Sequence, residues 1–224
     1  MDRNLVSLAM QYLTPEISSR IANALGVDRA VVEKAISVAV PALLGVLASN
    51  AAKPGGAERI ADALKRFDPN LLPGSSQSFA NQQGALMETG KTILSSVVGG
   101  SPTGTLTEAL SKFGNMNQGT ASSLLALAAP VVLGAIKSES PNLDAGGLAS
   151  LLASQKQNIA AALPSGMLNK LADSGVVEGL GAAKRSAGQA ASSAAEVARK
   201  AQPPAMQTKW LAWIIPLIAI AAII

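Results

Sequence analysis

Two stretches of this chain, residues 38–48 and 124–136, are apolar on every side, and each carries a proline, Pro41 in the first and Pro130 in the second. A helix that is apolar all round is either buried in a protein core or set in a bilayer. Both stretches fall well short of the roughly 20 residues that a helical span requires, so a buried core is expected. An interior proline costs about 3 kcal/mol in an exposed helix, so packing must offset it or the helix must bend there. The small residues Ala39, Ala42, Gly45, Ala128, Ala129 and Gly134 would let two such helices approach closely. Pro41, Leu44 and Gly45, with Pro130, Leu133 and Gly134, are therefore the candidate centre of the fold.

The two stretches belong to a longer correspondence. Pro41-Ala42-Leu43-Leu44-Gly45 matches Pro130-Val131-Val132-Leu133-Gly134. In the same order, Gly55-Gly56 matches Gly146-Gly147 and Leu72-Pro73 matches Leu163-Pro164, these two pairs at one common separation. Upstream, Gly26 aligns with Gly114 if one residue is inserted. The order of the matches predicts an internal duplication, with degenerate repeats at about 5–98 and 103–175.

Between these landmarks the pattern is helical, with no alternating Val/Ile/Thr run of strand type. Thr14-Pro15-Glu16 supplies a capping hydroxyl, a proline for the first helical position and an acid for the positive end of the dipole. That helix is predicted to stop at Gly26. Asp28 then caps a longer helix reaching about Ser49. Further helices are predicted over 57–67 and from about Gly84 to Val98, with Gly99-Gly100-Ser101-Pro102 as a break. The fold class is all-α: a compact helical domain over 1–175, a linker over 176–209 and an apolar helix over 210–224.

The linker is rich in Gly, Ala and Ser and lacks bulky apolar residues, so it buries too little surface to fold alone. It ends at Pro203-Pro204. It carries five basic residues (Lys184, Arg185, Arg199, Lys200, Lys209) against Glu178 and Glu196. The rest of the chain holds 13 basic and 12 acidic groups out of totals of 18 and 14. The body is thus near neutral and shows no basic face of the kind that holds nucleic acid.

The 210–224 segment has no charged side chain. Trp210 and Trp213, both tryptophans of the chain, sit beside Lys209, as an aromatic belt and a snorkelling cation do at a membrane surface. Ile214, Ile215, Leu217 and Ile218 would enter the hydrocarbon. The basic flank orients the body to the cytoplasm and the C-terminus outward, as a single-pass inner-membrane anchor. At 1.5 Å per residue the segment spans about 22 Å, less than a bilayer core of roughly 30 Å. It is expected to be the start of a span. A helix docked on the body is the competing reading, and the long linker argues against it.

Chemistry is sparse. The chain has no Cys and no His, which removes thiol nucleophiles, imidazole bases and the usual zinc ligand sets. Glu58 and Asp62 lie four apart beside Arg59, Lys65 and Arg66, a pattern that reads as a solvated charged face. No Gly-x-Ser-x-Gly and no phosphate-binding glycine loop occurs. No catalytic residue, cofactor or metal is expected. The helix pair around Gly26 has helix-turn-helix spacing, and Arg29 and Lys34 would be its DNA contacts. Asp28, Glu33 and the apolar continuation of its second helix oppose that use.

Leu25-Gly26-Val27, Pro41-Ala42-Leu43-Leu44-Gly45, Lys53-Pro54-Gly55-Gly56 and Leu127-Ala128-Ala129-Pro130-Val131-Val132-Leu133-Gly134-Ala135-Ile136 together resemble the bacterial domain-of-unknown-function family nine-three-seven, over about residues 4–140. The resemblance implies a small all-helical bacterial domain of unassigned activity. Some proteins of this type continue through a transmembrane helix into an outer-membrane-protein-A-like domain, and the end of this chain is similar to the start of such a span. The expected function is a non-enzymatic helical interaction or structural domain tethered to the bilayer. Its partner would be another protein or a second copy, and nucleic acid is not expected.

Overall fold

Capping decides where the first helices begin. The Asn4 side chain accepts from the Val6 and Ser7 amides and opens α1 (Leu5–Tyr12). Thr14 accepts from Ile17 N–H at 3.4 Å and Pro15 takes the first position of α2 (Pro15–Leu25), where its missing N–H is harmless. Gly26 ends α2 with φ +64, and Val27 N–H reaches back to the Ala22 carbonyl at 3.1 Å, a Schellman closure. The computed structural model describes residues 4–68, 76–139 and 144–177.

The long helix follows at once as α3 (Arg29–Ala51), with Pro41 inside it. Its cap differs in detail from expectation: the Asp28 carbonyl accepts from Val31 and Val32, but its side chain makes no cap hydrogen bond. After α4 (Gly56–Arg66) comes α5 (Ser76–Ile93), which begins earlier than Gly84, and then a π-helical turn, Leu94–Val98. The expected break at 99–102 is narrower than its composition suggested. Only Gly99, at φ +92, leaves the helical path, and α6 (Gly100–Gly114) starts at once. Pro102 sits in its first turn, where no intrahelical donor is needed. The remaining helices are α7 (Gln118–Glu139), which contains Pro130, α8 (Ala145–Ser154), α9 (Lys156–Ala162) and α10 (Ser165–Asp173). There is no strand among the described residues.

One backbone corner recurs in the two halves of the body. The left-handed residue that matches Gly26 is Asn115 (φ +51), and Gly114 is the last, buried residue of α6. With that pairing no insertion is needed, because Gly26 precedes Pro41 by the same interval as Asn115 precedes Pro130. Met116 N–H closes on the Ser111 carbonyl as Val27 closes on Ala22. Asn117 then stands where Asp28 stands, and its Oδ1 accepts from Thr120 N–H at 2.7 Å. Leu72-Pro73 lies outside the described residues, whereas Leu163-Pro164 directly precedes α10.

α3 and α7 form the centre. α3 packs on α2, α6, α7, α8 and α9, and α7 packs on α1, α5 and α6. Every residue from Val38 to Ala51 and from Leu124 to Ile136 is buried. Both helices are long and apolar enough to cross a membrane by composition, yet 72% and 78% of their most apolar windows are covered by the fold. Pro41, Leu44, Gly45, Pro130, Leu133 and Gly134 all lie within this centre.

Close approach at two further glycines depends on the missing side chain. A Cβ on Gly90 of α5 would overlap the Ala126 carbonyl of α7, and one on Gly56 would overlap the Asn50 carbonyl. Buried amides tie distant segments together. Leu5 N–H, at the start of α1, donates to Gln155 Oε1 at 3.2 Å, and Asn50 Nδ2 donates to the Val97 and Val98 carbonyls of the π-helical turn at 3.0 and 3.2 Å. Beyond α10, Val176 and Val177 are buried, so the packed body extends two residues into the stretch assigned to the linker.

Candidate interaction site

Of the residues singled out from sequence, the six Pro/Leu/Gly positions of α3 and α7 are structural, since none reaches the surface. Lys209, Trp210, Trp213, Ile214, Ile215, Leu217 and Ile218 lie outside the described residues. The surface of the helical body therefore supplies the remaining candidates.

The helix pair around Gly26 exposes Arg29 and Lys34, each engaged by a neighbour in the fold. Arg29 Nε is bonded to Glu33 Oε1 at 2.6 Å, and Lys34 Nζ lies 5.0 Å from the centre of the Phe113 ring. From Val38 onward the helix is buried. The Gly26 and Asn115 corners border one open cleft of about 700 Å³, lined also by Asn23, Asp28 and Asn117. At the start of α2, Glu16 is held below the usual carboxylate range, first by a backbone N–H, then by the Thr14 hydroxyl and the Arg29 charge.

Glu58 and Asp62 are exposed on α4, and Asp62 pairs with Lys65 at 3.5 Å. No group of three or more acidic side chains converges into a possible metal site among the described residues.

Two grooves emerge that the sequence did not single out. One, of about 680 Å³, runs between α4 and α5 above Phe67 and Ile93, with Arg59 and Arg66 along its α4 side and Glu88 along its α5 side. The other, of about 300 Å³, lies between α6 and α10. Its floor is Phe113, Pro164 and Met167, and its rim carries Lys112 and Lys170. Lys112 is bonded to Glu108 one turn earlier, and that bond, followed by the Lys112 and Lys170 charges, holds the Glu108 carboxyl below its ordinary range. The Lys112-Phe113 and Met167-Lys170 segments are far apart in sequence, and no local pattern joins them.

A family of bacterial proteins of unknown function, DUF937, matches residues 8–139. The chain belongs to this family. The DUF937 match runs from within α1 to the last residue of α7, so it holds both central helices and both left-handed corners, while α8, α9 and α10 follow it. Neither a curated protein nor a solved structure matches the chain.

Proposed function

We propose that this protein is a non-enzymatic helical interaction domain held at the inner membrane by its C-terminal segment. The helical body faces the cytoplasm and the C-terminus points outward. The observation that carries the reading is the uncharged 210–224 segment, opened by Trp210 and Trp213 directly after Lys209 and preceded by a basic, Ala/Ser/Gly-rich linker. Aromatic and cationic side chains at the mouth of an apolar segment favour a headgroup boundary, and the basic flank favours the cytoplasmic side.

The body supports the interaction half of the reading. Its long apolar helices are covered by their own neighbours, which leaves grooves on the outer helices as the places where a partner would bind. Cell fractionation tests the tether. The full chain should sediment with membranes and resist extraction by high salt, and a chain lacking residues 205–224 should not. A full chain recovered wholly in the soluble fraction would sink the proposal.

A further inference from the structure

The groove between α6 and α10 combines an apolar recess with two lysines on its rim. Phe113, Pro164 and Met167 form its floor, and Lys112 and Lys170 stand on opposite walls. Lys34 of α3, outside the groove lining, lies 5.0 Å from the centre of the Phe113 ring. Glu108 is the carboxylate that balances part of this charge, and it is bonded to Lys112. On a body that is close to neutral overall, the recess thus has two lysines on its rim, with Glu108 offsetting Lys112 and no acidic side chain among its lining residues.

We infer that this groove binds an acidic peptide segment of a partner protein, one bulky apolar side chain entering the recess between Phe113 and Met167 while flanking carboxylates meet Lys170 and Lys112. The inference rests on the reading of the body as an interaction domain and gives the chemistry of its partner. A recess of about 300 Å³ is at the small end of ligand sites, suited to a single anchoring side chain of the kind that dominates protein interfaces. A flat lipid surface would meet the lysine tips and leave the recess empty. A nucleobase would need an open aromatic face, and Lys34 occupies one face of Phe113.

The test uses the full chain in non-ionic detergent and a fluorescent synthetic peptide of aspartate and glutamate around two leucines. Controls are the same peptide with lysine in place of the acids, a single-stranded oligonucleotide, and vesicles of phosphatidylglycerol. The acidic peptide should bind, and binding should weaken as salt is raised, because exposed lysines are screened. The Lys112→Glu/Lys170→Glu double variant should lose at least tenfold in affinity. Both positions are exposed, so circular dichroism should be unchanged, and Lys65→Glu on α4 should bind as the parent does.

No binding at millimolar peptide, equal binding of the lysine peptide, or affinity unaffected by the double variant would overturn the inference. So would oligonucleotide or vesicle binding that depends on these lysines while the peptide does not bind. Fractionation reports on the tether independently. A soluble full chain that still binds the peptide removes the anchor and keeps the groove, and a membrane-bound chain blind to the peptide does the reverse.

Discussion

Gly26 and Asn115 hold the same left-handed turn at the ends of α2 and α6, each followed by a residue whose N–H closes on a carbonyl five positions back. The two are not equivalent energetically. Glycine takes this conformation without penalty, whereas residues bearing a Cβ do so at a cost that asparagine partly escapes. Gly26→Ala should lower stability by about 1 kcal/mol, from backbone strain alone, since nothing lies within 4 Å of the added methyl. Asn115→Gly should change it by less than about 0.5 kcal/mol. Urea midpoints of the two variants decide the matter, and equal losses would contradict it.

Two glycines on one helix should respond in opposite senses. Gly90→Ala would drive a methyl into the Ala126 backbone where α5 crosses α7, and should cost about 3 kcal/mol. Gly84→Ala meets open space on the same helix and should stabilise it by about 0.5–1 kcal/mol through lower backbone entropy. Thermal unfolding of both variants is the check.

Gln155 is 1% exposed, and its carbonyl oxygen receives both Leu5 N–H and Asn158 Nδ2. Gln155→Ala leaves the Leu5 donor buried without that acceptor, a loss of about 1–3 kcal/mol. Hydrogen exchange locates the effect: protection at the start of α1 should fall more than protection in α7.

Glu16 gives a pH dependence with a definite sign. Its folded pKa lies below the ordinary value of 4.5, so its ionised form stabilises α2 above that value. The contribution disappears as pH falls through the lowered folded value. Glu16→Gln should therefore be less stable than the parent at neutral pH and indistinguishable from it in strong acid. A difference that persists unchanged in acid would refute this assignment.

What could be read from sequence was local. Thr14-Pro15 and Gly26 fix α2 to the residue, because caps and left-handed stops are encoded within a few positions. The central helices were legible from apolar character alone, since little except burial suits them. Features set by distant partners were not. The Leu94–Val98 π-turn meets Asn50 from α3, and its first carbonyl accepts from Gly99 N–H and the Thr103 hydroxyl. The corner equivalent to Gly26 is invisible to a glycine-based alignment because Asn115 takes the left-handed conformation there. Of the candidate surfaces, the α6–α10 groove was hidden because its walls meet only after α7, α8 and α9 have intervened.

The arrangement around α3 has a consequence for synthesis. Of the five helices that chiefly enclose it, only α2 precedes it on the ribosome, and α6, α7, α8 and α9 are all made later. A nascent chain that has just completed α4 therefore has α3 packed on α1, α2 and α4 alone, with the apolar faces that later helices cover still open. Such a chain gains its native burial only when α6 to α9 arrive, so the interval before them is when the protein is most exposed to chaperones, proteases or a nearby membrane.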